Sequence, residues 1–199
     1  MISNKKRAIT QWSNLGVNFW PIYKCGTTTV LNHFQILSTG IQNINDEIKF
    51  KRSFAKQKVI SPELALKNGL KNFTVVRNPW YRFCSMYKDM FIKRPKRGKK
   101  ANISLDWSPI EFAQFLSNTS DADLDIHFKS QFIFVEPYVN DLEIIKLENI
   151  NKWSLDIPAP QFNHHNTNHI DIEFNSDTKE IILNRYQKDF EFFNYFLTN

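Results

Sequence analysis

Two short segments of the chain hold the residue types from which an anion site can be built. The first is Lys24-Cys25-Gly26-Thr27-Thr28-Thr29. Gly26 lets the backbone bend close to a ligand. The residues after it read as the start of a helix, where unpaired N–H groups and a partial positive charge favour an anion. The three threonine hydroxyls add donors and Lys24 adds a full charge. These are the parts of a phosphate cradle. They are not a Walker A loop, which places Lys and then Ser or Thr after a second glycine; here the lysine precedes the glycine. An ordinary threonine-rich helix start after a strand has the same composition.

The second segment is Val75-Val76-Arg77-Asn78-Pro79-Trp80-Tyr81-Arg82-Phe83-Cys84-Ser85-Met86-Tyr87. Arg77 offers a planar fork that grips phosphate. With a helix starting near Pro79, Ser85 lies almost two turns along it, on a face shared with Arg82. A surface ion pair for Arg77 and a neutral helix position for Ser85 are the plainer readings of each alone. A candidate base stands further on. An unperturbed histidine has a pKa of about 6.5, a value that suits His127 to taking a proton near neutrality. Asp123 and Asp125 precede it closely, placed to orient the ring or raise that value. His33 reads as structural. His164, His165 and His169 fall in a polar loop within reach of an acceptor; without further ligands they do not make a metal site.

The elements that hold these residues are legible in outline. Residues 17–23 read as an aromatic, β-branched strand, followed by the Lys24 loop and a helix through Leu37. Residues 41–60 show no clear period and stay unassigned. Ser61-Pro62-Glu63 predicts a helix start, with a stop at Gly69. Residues 73–76 predict a buried strand that delivers Arg77, and Pro79 opens the next helix. Residues 93–100 form a basic loop. Asp106 to Ser117 predicts a helix capped by Ser108, residues 143–149 a third strand, and 156–170 a loop. Ile182, Tyr186, Phe190, Phe193 and Leu197 recur at helical spacing as a core-facing stripe. Strands alternating with helices predict an α/β fold with a mostly parallel sheet, in which ligands bind at the carboxyl ends of the strands. Lys24 and Arg77 are expected at two such neighbouring ends.

Length and composition agree with this. A chain of 199 residues suits a single domain over 1–199 with a substantial core. Eighteen Phe and five Trp exclude a disordered chain. The formal charge of +6 favours an anionic partner. Two cysteines, Cys25 and Cys84, are too few for a disulfide framework or a structural zinc site. With no signal-peptide pattern and no apolar run near the about 18 residues a membrane span needs, the expectation is a soluble, cytoplasmic protein.

Taken together, the two motifs resemble those of the sulfotransferases that use 3′-phosphoadenosine-5′-phosphosulfate (PAPS). The segment 23–34 looks like their 5′-phosphosulfate loop, and 75–87 like their 3′-phosphate motif of Arg, Pro, a second Arg, Ser and Tyr. Within the family, the carbohydrate-type branch of heparan, chondroitin and dermatan sulfotransferases is similar. His127-Phe128-Lys129-Ser130-Gln131 resembles a His-aromatic-x-x-Gln element of that branch, Leu147-Glu148-Asn149 a strand-end motif, and 186–195 its C-terminal helix. Two departures stand out. Tyr23 takes the place of the proline that usually precedes the lysine, and residues 35–76 lack the His that heparan-type 2-O enzymes carry there.

The resemblance implies a P-loop-like sulfotransferase fold and sulfuryl transfer from PAPS to a hydroxyl, with 3′-phosphoadenosine 5′-phosphate as product and no metal. It implies that Lys24 stabilises the departing phosphate, that Lys24, Cys25, Gly26, Thr27, Thr28 and Thr29 bind the 5′-phosphosulfate, and that Arg77 and Ser85 bind the 3′-phosphate. His127 is the chosen base; the 161–169 loop and Glu63 are its alternatives. The acceptor is expected to be a glycan or glycolipid. A P-loop kinase-like enzyme is the competing reading, lacking its Gly-Lys-Ser/Thr signature. A nucleic-acid-binding protein using the 93–100 loop is the weaker one.

Overall fold

The computed structural model describes residues 8–40, 58–93, 103, 104, 106–160 and 174–195. The described chain forms two compact units, one within Met1–Val76 and Tyr138–Phe162, the other within Arg77–Pro137 and Asn163–Asn199.

The first unit is built on a five-stranded sheet. Its strands are β1 (Ile9–Trp12), β2 (Val17–Trp20), β3 (Lys58–Ile60), β4 (Lys71–Val76) and β5 (Glu143–Lys146), in the order β3-β1-β2-β4-β5. β2, β4 and β5 pair in parallel, with Phe19 opposite Phe73 and Phe73 opposite Glu143. β1 pairs antiparallel with both β2 and β3. The sheet is therefore mixed, and its parallel half carries the segments of interest. All four residues of β2 and residues 73–76 of β4 are buried, as parallel strands covered on both faces require. β2 ends at Trp20, not Tyr23, because Pro21 has no N–H to give a ladder.

Helix α1 (Thr27–Thr39) follows β2, and the short α2 (Pro62–Lys67) precedes β4. The predicted cap of α2 is present: Ser61 Oγ accepts from Leu64 N at 3.4 Å. Val30 and Phe34 of α1 join Phe19, Phe73, Val75 and Ile145 in one core, with Phe34 and Phe73 rings stacked at 5.4 Å. The 143–149 segment is not one strand. β5 stops at Lys146, and Leu147–Lys152 winds into 3₁₀ turns.

The second unit is helical. It comprises α3 (Pro79–Tyr87), which runs on into a π-helical stretch (Lys88–Lys93), then α4 (Pro109–Asn118), the single-turn α5 (Phe132–Val135), α6 (Ser176–Arg185) and α7 (Gln187–Phe192). α4 begins after Ser108, which forms a capping box with Glu111. α4 packs on α6 around Phe83, Phe112, Phe128, Ile182, Tyr186 and Phe190. The C-terminal stripe is core as read, with Ile182, Tyr186, Phe190 and Phe193 all buried. It runs over two helices, since Tyr186 (φ −114°, ψ 26°) breaks the helical backbone. Leu197, residues 94–100 of the basic loop, and His164, His165 and His169 lie outside the described residues.

Candidate active site

The loop between β2 and α1 is built by two left-handed residues. Gly26, the residue before the first turn of α1, has φ 74°, and Lys24 has φ 68° without being glycine. A β-carbon on Gly26 would stand 2.5 Å from Leu147 Cδ1, so the side chain just past β5 fills the space that glycine leaves. The turn is tied to the segment just after β2 by Cys25 N donating to the Ile22 carbonyl (3.3 Å) and by Thr27 Oγ1 donating to the same oxygen (2.8 Å). A left-handed lysine costs roughly 1 kcal/mol or more, strain of the kind that collects at ligand-binding turns.

No side chain caps α1. Its first N–H groups, those of Thr27, Thr28 and Thr29, therefore end a 13-residue helix as an anion-favouring terminus. Thr27 donates its hydroxyl proton to the Ile22 carbonyl, while Thr28 and Thr29 follow it in the first turn of α1. Cys25 is almost fully buried and acts as packing. Neither Cys25 nor Cys84 forms a disulfide.

β4 lies beside β2 in parallel, and Arg77 is the next residue after it. The Arg77 peptide is gripped from both sides by one side chain: its N–H donates to Gln131 Oε1 (2.8 Å) and its carbonyl accepts from Gln131 Nε2 (2.8 Å). Asn78 caps α3 by accepting from Trp80 N (2.9 Å), and Pro79 fills the first turn, where no N–H is needed. Ser85 lies half-buried on α3. Burial pushes the neighbouring Cys84 thiol up, and the charges of Lys88 and Arg77 act against that shift. Arg82 turns the other way, into the core. It is 1% exposed, donates to the His127 carbonyl (3.2 Å) and sits over the Tyr186 ring (5.9 Å).

His127 is paired with Asp125. One carboxylate oxygen takes both the His127 N–H (2.9 Å) and ring Nδ1 (2.5 Å). A carboxylate only accepts, so Nδ1 carries a proton and donates it to Asp125. The bond to His127 in turn holds the Asp125 carboxyl below its ordinary pKa. Asp123 does not share this role; it accepts from Ser120 Oγ at 2.6 Å. Behind the element, Tyr186 Oη donates to the Phe128 carbonyl (2.7 Å), and its phenol is pushed up to about 12 by burial.

Within the second unit, then, Arg77, Ser85 and His127 belong to two segments locked together through Arg82 and Gln131. Two residues of this frame enter the sequence reading only as members of family-like segments, with no role attached. Gln131 is uncharged and acts on backbone, which no residue-type argument flags. Asp189 accepts from Ser130 Oγ, Gln131 N and Phe132 N at 2.5, 2.9 and 2.7 Å. A signal for it existed: position 189 falls three after Tyr186 and four before Phe193, an acid on the apolar face of the C-terminal stripe. Among the described residues, no group of three or more His, Cys, Asp or Glu gathers in metal-binding fashion, and no helix is long and apolar enough to cross a membrane.

Comparison with curated proteins and with solved structures gave no match. A family model does match: residues 14–152, more than half of the chain, fit that of the sulfotransferase family. The match takes in the loop before α1, the Arg77 segment, His127 to Gln131 and the turns after β5, all on an α/β frame with an open sheet flanked by helices. On that match, the chain belongs to the sulfotransferase family.

Proposed function

We propose that this chain moves a sulfuryl group from PAPS to a hydroxyl of a carbohydrate, on a glycan or glycolipid. The observation that carries the reading is the strained, glycine-tightened loop from Lys24 to Gly26 running into an uncapped 13-residue helix. That arrangement suits a phosphosulfate, with Lys24, the backbone of Cys25 to Thr29, and the Thr28 and Thr29 hydroxyls as its holders. Arg77 and Ser85 bind the 3′-phosphate, on the motif they share with the family. The carbohydrate acceptor rests on the resemblance of the segments 127–131, 147–149 and 186–195. With two cysteines outside any disulfide, a cytoplasmic enzyme fits.

The chemistry asks three things of these residues. Lys24 neutralises the charge that gathers on the phosphate oxygen as its bond to sulfur breaks. The donor and acceptor are held in line, so the acceptor oxygen forms the new bond to sulfur as the old one leaves. His127, its ring oriented by the Nδ1–H bond to Asp125, takes the acceptor's hydroxyl proton at Nε2.

The test compares binding of PAPS with that of its analogue lacking the 3′-phosphate. R77A loses about 2 kcal/mol against PAPS and little against the analogue, and S85A loses somewhat less. Equal losses against both ligands contradict the assignment.

A further inference from the structure

Gln131 has no exposed surface, and every polar atom of its side chain is used. Oε1 accepts from Arg77 N; Nε2 donates to the Arg77 carbonyl at 2.8 Å and to Asp189 Oδ2 at 3.4 Å. The orientation of this amide is not a free choice. Arg77 N–H can only donate and the Asp189 carboxylate can only accept, so chemistry alone decides which end is NH₂. Holding both the N–H and the C=O of one residue fixes the backbone on each side of its Cα, and with it the direction in which the side chain leaves. Asp189, itself fully buried, fastens the clamp by taking the N–H of Gln131 and of Phe132. Asp189 lies on α7, beyond the 14–152 span that matches the family model.

We propose that Gln131 is a positioning residue for Arg77. Its side-chain amide, oriented by Asp189, aims the guanidinium at the 3′-phosphate and so sets the enzyme's preference for 3′-phosphorylated nucleotide. The proposal rests on the assignment of Arg77 to that phosphate. A planar fork rewards correct aim, because its bidentate contact is lost with a small rotation of its root. Sites of this kind depend on the residues that lock the first contacts in place.

The full chain is titrated with 3′-phosphoadenosine 5′-phosphate and with adenosine 5′-phosphate. The dissociation constant of adenosine 5′-phosphate divided by that of 3′-phosphoadenosine 5′-phosphate reads the 3′-phosphate alone. R77A lowers the ratio by about 30-fold, the size of a charge-assisted contact. Q131A lowers it by about tenfold, as loss of a ligand's orienting partner does elsewhere. The double variant matches R77A within about twofold, because Gln131 acts only through Arg77. A merely structural role weakens both nucleotides together and leaves the ratio unchanged. If R77A collapses the ratio and Q131A preserves it, the positioning role is overturned while the Arg77 assignment stands. If R77A itself preserves the ratio, the assignment fails and the inference falls with it. Should Q131A not fold, amide exchange in the unmodified protein decides: Arg77 N–H exchanges at least about 100-fold more slowly than an open amide if clamped, and at the open rate if not.

Discussion

Asp125 and His127 are of ordinary residue type, and it is their arrangement that supports the proposal of His127 as the base. The carboxylate fixes the tautomer, and the bond from Arg82 to the His127 carbonyl fixes the backbone that carries the ring. H127A is expected to cut kcat by about 100-fold or more while PAPS affinity changes by less than about twofold. D125N keeps the shape but loses the charge behind the ring; a drop in kcat of about tenfold, again with affinity retained, is expected from steady-state assays. An H127A enzyme of unchanged kcat moves the base elsewhere. Gly26 is a residue-scale case of a different kind. G26A meets both a left-handed φ and the Leu147 methyl, so unfolding free energy should fall by about 2 kcal/mol. In a thermodynamic cycle with L147A the two losses are expected to be less than additive by about 0.5 kcal/mol or more. Additive losses show that Leu147 does not press on the loop. Lys24, Gly26, Arg77 and His127 are legible as candidates because charge, flexibility and titration belong to residue type. Gln131 and Leu147 stand in family-like motifs, but their contacts were not legible, because those exist only through a partner distant in sequence.

The elements that deliver the motifs were read from local signals, and those that complete the sheet were not. Pro62, Pro79 and Ser108 mark helix starts by chemistry confined to one turn, and all three are where the helices begin. β3 has three residues, two of them exposed, so it shows no buried alternation and depends on β1 for its existence. Residues 143–149 read as one strand, yet β5 ends at Lys146 and Leu147, partly buried, opens the 3₁₀ turns beside Gly26. His33 belongs to this scale, since it ties α1 to the chain after β5. Its Nε2 lies 2.7 Å from the Pro158 carbonyl and its ring stands beside Trp153 and Phe34. Burial holds its pKa below the ordinary value, the bond to Pro158 acting weakly against that. The unfolded chain therefore binds this proton more readily than the folded one. The stability at stake is present above about pH 6.5 and is lost as pH falls through the folded value. Denaturant titrations from about pH 7.5 downward should show wild type losing stability faster than H33Q over that window. Parallel curves show that His33 has no part in it.

At the scale of the whole molecule, a net charge of +6 suits an anionic donor and equally a nucleic acid, so composition alone does not choose. The choice comes from the α/β frame, from β2 and β4 lying in parallel with a motif after each, and from the family match across residues 14–152. The most direct measurement is calorimetric titration of the full chain with 3′-phosphoadenosine 5′-phosphate, ATP and duplex DNA, repeated with R77A. The account predicts that 3′-phosphoadenosine 5′-phosphate binds most tightly and that R77A weakens it by about 30-fold, with ATP little affected. Tighter binding of ATP or DNA, or a 3′-phosphoadenosine 5′-phosphate affinity indifferent to R77A, contradicts it.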